Sequence, residues 1–171
     1  MDEVRIRNVK DMELERVLSI NETYVPRLST LTFDKLKLLQ KISVYFKVIL
    51  VKNEIIGFIL AFEENQKYDS LNYQWFNYKY KNFIYIDRVV IIDDYQNQRL
   101  GKLLYAEIEE NFKDRKNFLL AEVNTFPMNQ QSILFHERNG FTGVFEKMYT
   151  TEYAVRFFEK KINFKKQGRS T

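Results

Sequence analysis

FIYIDRVVIIDDYQNQRLGKLLYAEIEENF, residues 83–112, decides how the rest of the chain is read. Residues 83–92 form an apolar run of strand length. Val89, Val90, Ile91 and Ile92 are β-branched, as strands prefer. Asp93 to Asn97 break the run with turn-forming side chains. Leu100, Leu103, Leu104, Ile108 and Phe112 then recur at helical spacing, which predicts a helix starting near Gln98. A helix that opens directly after a strand points its free N–H groups away from the strand's carboxyl end. Those groups and the helix dipole make a seat for phosphate. Gly101 falls in the first turn, where a missing Cβ lets a ligand approach the backbone.

The flanking sequence extends this unit in both directions. Phe118 to Val123 (FLLAEV) is a continuous apolar run, the pattern of a parallel strand buried on both faces. Strand, helix and second strand therefore form a βαβ unit. Upstream, residues 44–51 and 54–62 read as a hairpin around Lys52-Asn53, with Gly57 marking a bulge or a close approach. Val4 to Arg7 alternates as a short first strand. A helix follows from Asp11 to about Glu22, with Leu14, Val17 and Leu18 inward, and a second starts at Ser29 or Thr32 and carries Leu36 and Leu39. Residues 63–82 read as a polar insertion with an aromatic burst. Tyr68, Tyr73, Trp75, Phe76, Tyr78, Tyr80 and Phe83 stand there among Lys67, Lys79 and Lys81, suited to a pocket wall, to core packing of a long hairpin or, less readily, to base stacking. Downstream, a short helix from about Asn129 to Asn139 ends at Gly140, and residues 141–149 and 152–163 read as a closing strand pair. The organisation is one domain over 1–163 with a flexible basic tail at 164–171.

Composition narrows the function. The 171 residues suffice for one full core, and 45% apolar content excludes a disordered or fibrous chain. With no cysteine there is no disulfide framework, zinc-thiolate site or thiol nucleophile. A single histidine, His136, argues against a histidine-based metal site. The net charge of +4 suits an anionic cosubstrate but is too small to argue for nucleic acid. The charged N-terminus shows neither a signal peptide nor a span, so a cytoplasmic protein without membrane association is expected.

Two motifs add a resemblance. Tyr95-Gln96-Asn97-Gln98-Arg99-Leu100-Gly101-Lys102 resembles the pyrophosphate loop of the GNAT acetyltransferases: Gln96 and Gly101 match its first and last positions, and Arg99 stands where a middle glycine is usual. Asn129, Ser132, Phe135, His136, Gly140 and Phe141 follow that family's N-x-x-A/S-x-x-L/F-Y-x-x-x-G-F pattern, with histidine for the tyrosine. The stretch IDRVVI followed by the FH variant looks like a bacterial subgroup of predicted acetyltransferases. The resemblance covers nearly the whole chain and implies an α/β (α+β) fold. Its central sheet would be mixed but mostly antiparallel, with splayed fourth and fifth strands and four flanking helices.

By the same resemblance, acetyl-CoA is the cosubstrate, no metal is needed, and the acceptor is the amine of a small molecule or peptide, attacking directly in a ternary complex. Backbone at Val89, Val90 and Ile91 would hold the pantetheine and polarise the acetyl carbonyl. Amides of Gln98, Arg99, Leu100, Gly101 and Lys102 would hold the pyrophosphate, with Gln96 shaping the turn. Asn124 and Asn129 are further pantetheine contacts, and Ser132, Phe135 and His136 complete the cofactor wall. A homodimer is compatible with the resemblance. His136 would donate a proton to the leaving thiolate or else pack at a helix end beside the cofactor. Asp87 and Glu122, the acids inside otherwise apolar strands, are the candidate general bases. Each is alternatively a paired structural charge, with Arg88 or Arg138 as its partner. The alternatives to an enzyme are a non-catalytic acyl-CoA-binding module and a nucleic-acid-binding domain.

Overall fold

The computed structural model describes residues 3–162; the tail expected at 164–171 lies outside them. Seven strands form one sheet in the order β1-β2-β3-β4-β5-β7-β6. They are β1 (Val4–Asn8), β2 (Tyr45–Val51), β3 (Glu54–Glu63), β4 (Phe83–Ile91), β5 (Phe118–Phe126), β6 (Thr142–Thr150) and β7 (Tyr153–Lys161). Only β4 and β5 run parallel, and every other pair is antiparallel. The helices are α1 (Leu14–Thr23), α2 (Phe33–Ile42), α3 (Leu71–Lys79), α4 (Leu100–Phe112) and α5 (Gln130–Arg138). None among the described residues is long and apolar enough to cross a membrane.

The sheet separates two cores. Helices α1, α2 and α3 cover one face with Leu14, Val17, Leu36, Leu39, Tyr73 and Phe76. Helices α4 and α5 cover the other with Leu100, Leu104, Tyr105, Ile108, Phe112 and Ile133. The spacing of four in Leu100, Leu104, Ile108 and Phe112 carries α4's buried stripe, as expected. Leu103 lies off that stripe and is exposed, and Tyr105 takes the inward place. The helix begins at Leu100 rather than near Gln98, because Asn97 and Arg99 adopt left-handed backbone (φ 60° and 63°), which no α-helical turn can include. Thr32, one of the two proposed starts of α2, caps it by accepting from the Lys35 amide at 3.2 Å.

The largest departure from the sequence reading is residues 63–82, expected as a polar insertion or long hairpin. Ser70 caps a helix there, accepting from the Tyr73 amide at 3.3 Å. Helix α3 has no single apolar stripe because it packs in two directions. Tyr73 and Phe76 enter the core beside β4, where Tyr73 also donates to the Glu63 carbonyl at 2.6 Å. Trp75 turns toward β7 and β6, stacked 4.4 Å from Phe157 and 5.2 Å from Phe145. With Tyr73, Phe76 and Phe83 buried, the segment packs a core rather than presenting a base-stacking surface.

Gly57 lies hard against the backbone of β4. A Cβ there would stand 2.2 Å from the Val90 carbonyl oxygen, and a bulge displaces the β2–β3 register beside it. Gly57→Ala is therefore expected to force the two strands apart and destabilise the fold by about 1–3 kcal/mol. The check is a urea melt, in which the midpoint falls with little change in slope.

Candidate active site

Strands β4 and β5 pair only through Phe83–Phe118, Ile84–Leu119 and Tyr85–Leu120. From Ile86 onward no strand pairs with that edge of β4, while its other edge stays on β3 as far as Ile91. β5 meanwhile follows β7 to Phe126. The parting strands open a cleft of about 1320 Å³. That exceeds the roughly 300–1,000 Å³ of ordinary ligand pockets and suits two substrates bound together. Val89, Val90, Ile91 and Asn124 line it, so the backbone groups expected to hold the pantetheine do border the opening.

The anion end lies where β4 runs into α4. The Gln96 side-chain amide donates to the Ile91 carbonyl and to Asp93, both at 2.9 Å, and so shapes the turn. Gln98 donates to the Asp94 carbonyl at 3.2 Å. The first α4 bond runs from the Leu103 amide to the Arg99 carbonyl at 3.0 Å. The amides of Leu100, Gly101 and Lys102 therefore lack helical acceptors, an arrangement suited to an anion. Arg99 is exposed, and its side chain makes no hydrogen bond or ion pair with the described residues. Gly101 has a use beyond ligand approach: a Cβ there would meet the Phe135 ring at 3.3 Å, so its absence lets α4 and α5 pack closely.

The two expected acids sit on the α1–α3 side. β3 pairs Leu60 with Arg88 and Ala61 with Ile86, leaving Asp87 as an extra residue in a bulge. The bulge lets Asp87 and Arg88 turn to the same face. Asp87 accepts from Arg88 Nε at 3.0 Å and from the Tyr68 hydroxyl at 2.8 Å. Burial raises its pKa, and Arg88 opposes the rise. The rest of the Arg88 guanidinium donates to Asn21 Oδ1 and to Ser29, pinning the loop between α1 and α2 that walls the cleft. Among the described residues, Glu122 has no cation beside it. Its Oε1 accepts from the Tyr85 hydroxyl at 2.7 Å and the Asn72 amide at 3.0 Å, while its buried Oε2 accepts from nothing. Burial pushes Glu122 up to about 8, the Tyr85 bond opposes the rise and the Asp87 charge adds to it. Asp87 is thus a paired acid, as the structural reading had it, whereas Glu122 is paired with neither Arg88 nor Arg138.

His136 lies on the other face, buried between α4 and β7 and stacked 5.5 Å from Phe158. Nδ1 meets the Ser132 carbonyl at 2.7 Å, where it can only donate, so Nε2 accepts from the Tyr105 hydroxyl at 2.8 Å. Burial depresses its pKa to about 4, so the ring is neutral at physiological pH. Both ring nitrogens are engaged, which favours packing beside the cofactor over proton donation. Asn129 caps α5, accepting from the Ser132 amide at 3.2 Å, and Phe135 rests against Tyr105 at 5.0 Å. Sequence reasoning missed Asn72, Tyr85 and Tyr149 beside Glu122; Asn72 and Tyr149 sit in segments with no motif, and Tyr85 reads as one more apolar residue of its strand.

The model of the acetyltransferase (GNAT) family matches residues 14–141. The chain belongs to this family. As a GNAT acetyltransferase it moves an acetyl group from acetyl-CoA to an amine, and the open β4 edge and free α4 amides fit that cosubstrate. No group of three or more metal-ligating side chains occurs among the described residues. No curated protein matches the sequence. Solved structures share the fold at low identity. The ribosomal-protein-S18-alanine N-acetyltransferase from Escherichia coli is 15% identical with a TM-score of 0.75, covering 97% of this chain and 98% of that one. Ard1 from Thermoplasma volcanium is 16% identical with a TM-score of 0.74, covering 93% and 97%. Arabidopsis thaliana NAA60 in complex with acetyl-CoA is 16% identical with a TM-score of 0.73, covering 94% and 100%.

Arg99 holds a left-handed conformation that glycine adopts without strain. Arg99→Gly is expected to stabilise the fold by about 1 kcal/mol while weakening CoA binding. The loss should be larger at low than at high ionic strength, because salt screens the guanidinium–phosphate attraction. Thermal melts and CoA titrations at two salt concentrations check both parts.

Proposed function

We propose that this acetyltransferase works by direct attack in a ternary complex, with Glu122 as the general base, and that its acceptor amine enters from the α1–α3 face. The unpartnered, buried Oε2 of Glu122 in the cleft carries this reading. A carboxyl raised to about 8 can take a proton near neutral pH, where an ordinary carboxylate is too weak a base. The amine gives up its proton to Glu122 as its nitrogen bonds the acetyl carbon. The carbon–sulfur bond then breaks and CoA leaves as the thiolate, which is protonated by water as Glu122 returns the amine proton to solvent. Backbone of Val89 to Ile91 positions the acetyl carbonyl, and the turn from Gln96 to Lys102, with Arg99, holds the phosphates. Asn124, Asn129, Ser132 and Phe135 line the pantetheine path, and holding two reactants in line supplies much of the rate. His136 orders Tyr105 and the first turn of α5 beside the cofactor. Asp87 keeps Arg88 and Tyr68 in place and adds negative charge near Glu122. A small molecule or a peptide amine fits this reading, as does a cytoplasmic setting.

Saturating acetyl-CoA should stabilise the protein by about 2.7 kcal/mol at a hundredfold excess over its Kd, read as an upward shift in Tm. Thiol release from acetyl-CoA, measured against peptides with free α-amines, amino acids and alkyl polyamines, then identifies the acceptor class. Glu122 works as a base only when ionised, so kcat/KM should rise with pH to a plateau above about 8. Glu122→Gln should lower kcat by roughly 10²–10⁴-fold and abolish that limb. A Glu122→Gln enzyme with the wild-type pH profile would exclude Glu122 as the base.

A further inference from the structure

We propose that Asn72 of α3 is a positioning residue for this reaction: held by Tyr149 of β6, it turns the Glu122 carboxylate so that a single oxygen faces the amine. The inference rests on the reading of Glu122 as the base. Its basis is a directional chain of hydrogen bonds. The Tyr149 hydroxyl donates to Asn72 Oδ1 at 2.5 Å, and Asn72 Nδ2 donates to Glu122 Oε1 at 3.0 Å. With Glu122 ionised, as a base must be, the order cannot be reversed: turning the amide over would set Oδ1 against the carboxylate, where two acceptors repel. Tyr85 donates to the same oxygen at 2.7 Å, so both fixed donors converge on Oε1 and leave Oε2 unpartnered. Asn72 is itself buried, and its backbone stands in the first turn of a helix fixed by Tyr73 and Phe76 in the core beside β4 and by Trp75 stacked on Phe157 of β7. The donor at Glu122 is therefore set by packing rather than by solvent.

The charge around Glu122 makes this donor consequential. Asp87 and Tyr85 face it from β4, and Tyr68 from the loop before α3. Tyr149 and Tyr153 face it from β6 and β7, and Tyr105 of α4, on the opposite face of the sheet, feels its charge. Arg88 is the cation in this group, and it is bound to Asp87. Within this setting the Asn72 N–H is one of two side-chain donors that favour the charged form of Glu122.

The test titrates Glu122 directly, by NMR of its side-chain carboxyl carbon in ¹³C-glutamate-labelled protein, with Glu122→Gln assigning the signal. Asn72→Leu should raise the midpoint by about one pH unit, since a hydrogen bond to a charged group is of that size. At neutral pH the rate with the best amine of the panel should then fall about tenfold, with acetyl-CoA affinity unchanged. Tyr149→Phe, which removes only the outer bond, should move the midpoint the same way by less. An unmoved Glu122 midpoint in both variants overturns the proposal, as does a change confined to the acceptor KM. If Asn72→Leu does not fold, Tyr149→Phe alone decides, and a wild-type midpoint there overturns it. The base reading fails separately, through a Glu122→Gln enzyme that keeps its pH limb.

Discussion

The constraint on which the site depends is the early parting of β4 from β5. Three paired residues on each strand hold two half-sheets together, and beyond Tyr85 and Leu120 the backbone edge lies open. A sheet edge normally satisfies its polar groups with a neighbouring strand, and an unpaired buried group costs free energy comparable to a lost hydrogen bond. Here the missing neighbour is the space for an extended ligand. The pantetheine arm, with amides and carbonyls of its own, is the kind of chain that completes such an edge.

A sheet joined by so short a parallel ladder needs other ties across the opening. Helix α3 supplies several. Tyr73 and Phe76 pack beside β4, Trp75 stacks on Phe157 and Phe145, and Tyr80 donates to Glu159 of β7 at 2.6 Å. Lys116, before β5, reaches back to Glu63 and Glu64 at the end of β3 at 3.0 and 2.9 Å. Aromatic pairs add to the area they bury, so these contacts hold the halves without filling the cleft between them. The same helix carries Asn72 to the carboxyl of β5. The tie across the opening and the acceptor-side wall are thus one element.

The two faces of the sheet divide the chemistry. The anion-binding turn, Phe135 and the neutral His136 lie with α4 and α5. Glu122, Asp87 and their tyrosines lie with α1 to α3. In the proposed mechanism a ligand phosphate and a departing amine proton are handled on opposite sides, which spares Glu122, the proposed base, the field of the phosphates.

Much of this was legible in residues 83–112. The apolar run, the polar turn and the spacing of four from Leu100 to Phe112 fix strand, turn and helix by local periodicity alone, and Gln96 and Gly101 fall where the turn uses them. Asp87 and Glu122 stand out because an acid in an apolar strand must be paired or have its pKa shifted. The sequence did not reveal α3, because a helix that packs toward two half-sheets leaves no single stripe. It could not separate the two acids either, since pairing depends on what lies opposite. A bulge turns Asp87 and Arg88 to one face, while Asn72 and Tyr85 reach Glu122 from elements 50 and 37 residues away. The partners of His136 were likewise beyond the sequence, because Tyr105 and the Ser132 carbonyl engage both of its nitrogens only in the folded chain. The sequence by itself determined the elements other than α3 and the turn between β4 and α4, because hydrogen bonds and side-chain periods within a few residues set them. The tertiary structure alone decided which oxygen of which acid stands free in the cleft, because that depends on donors brought together from distant parts of the chain.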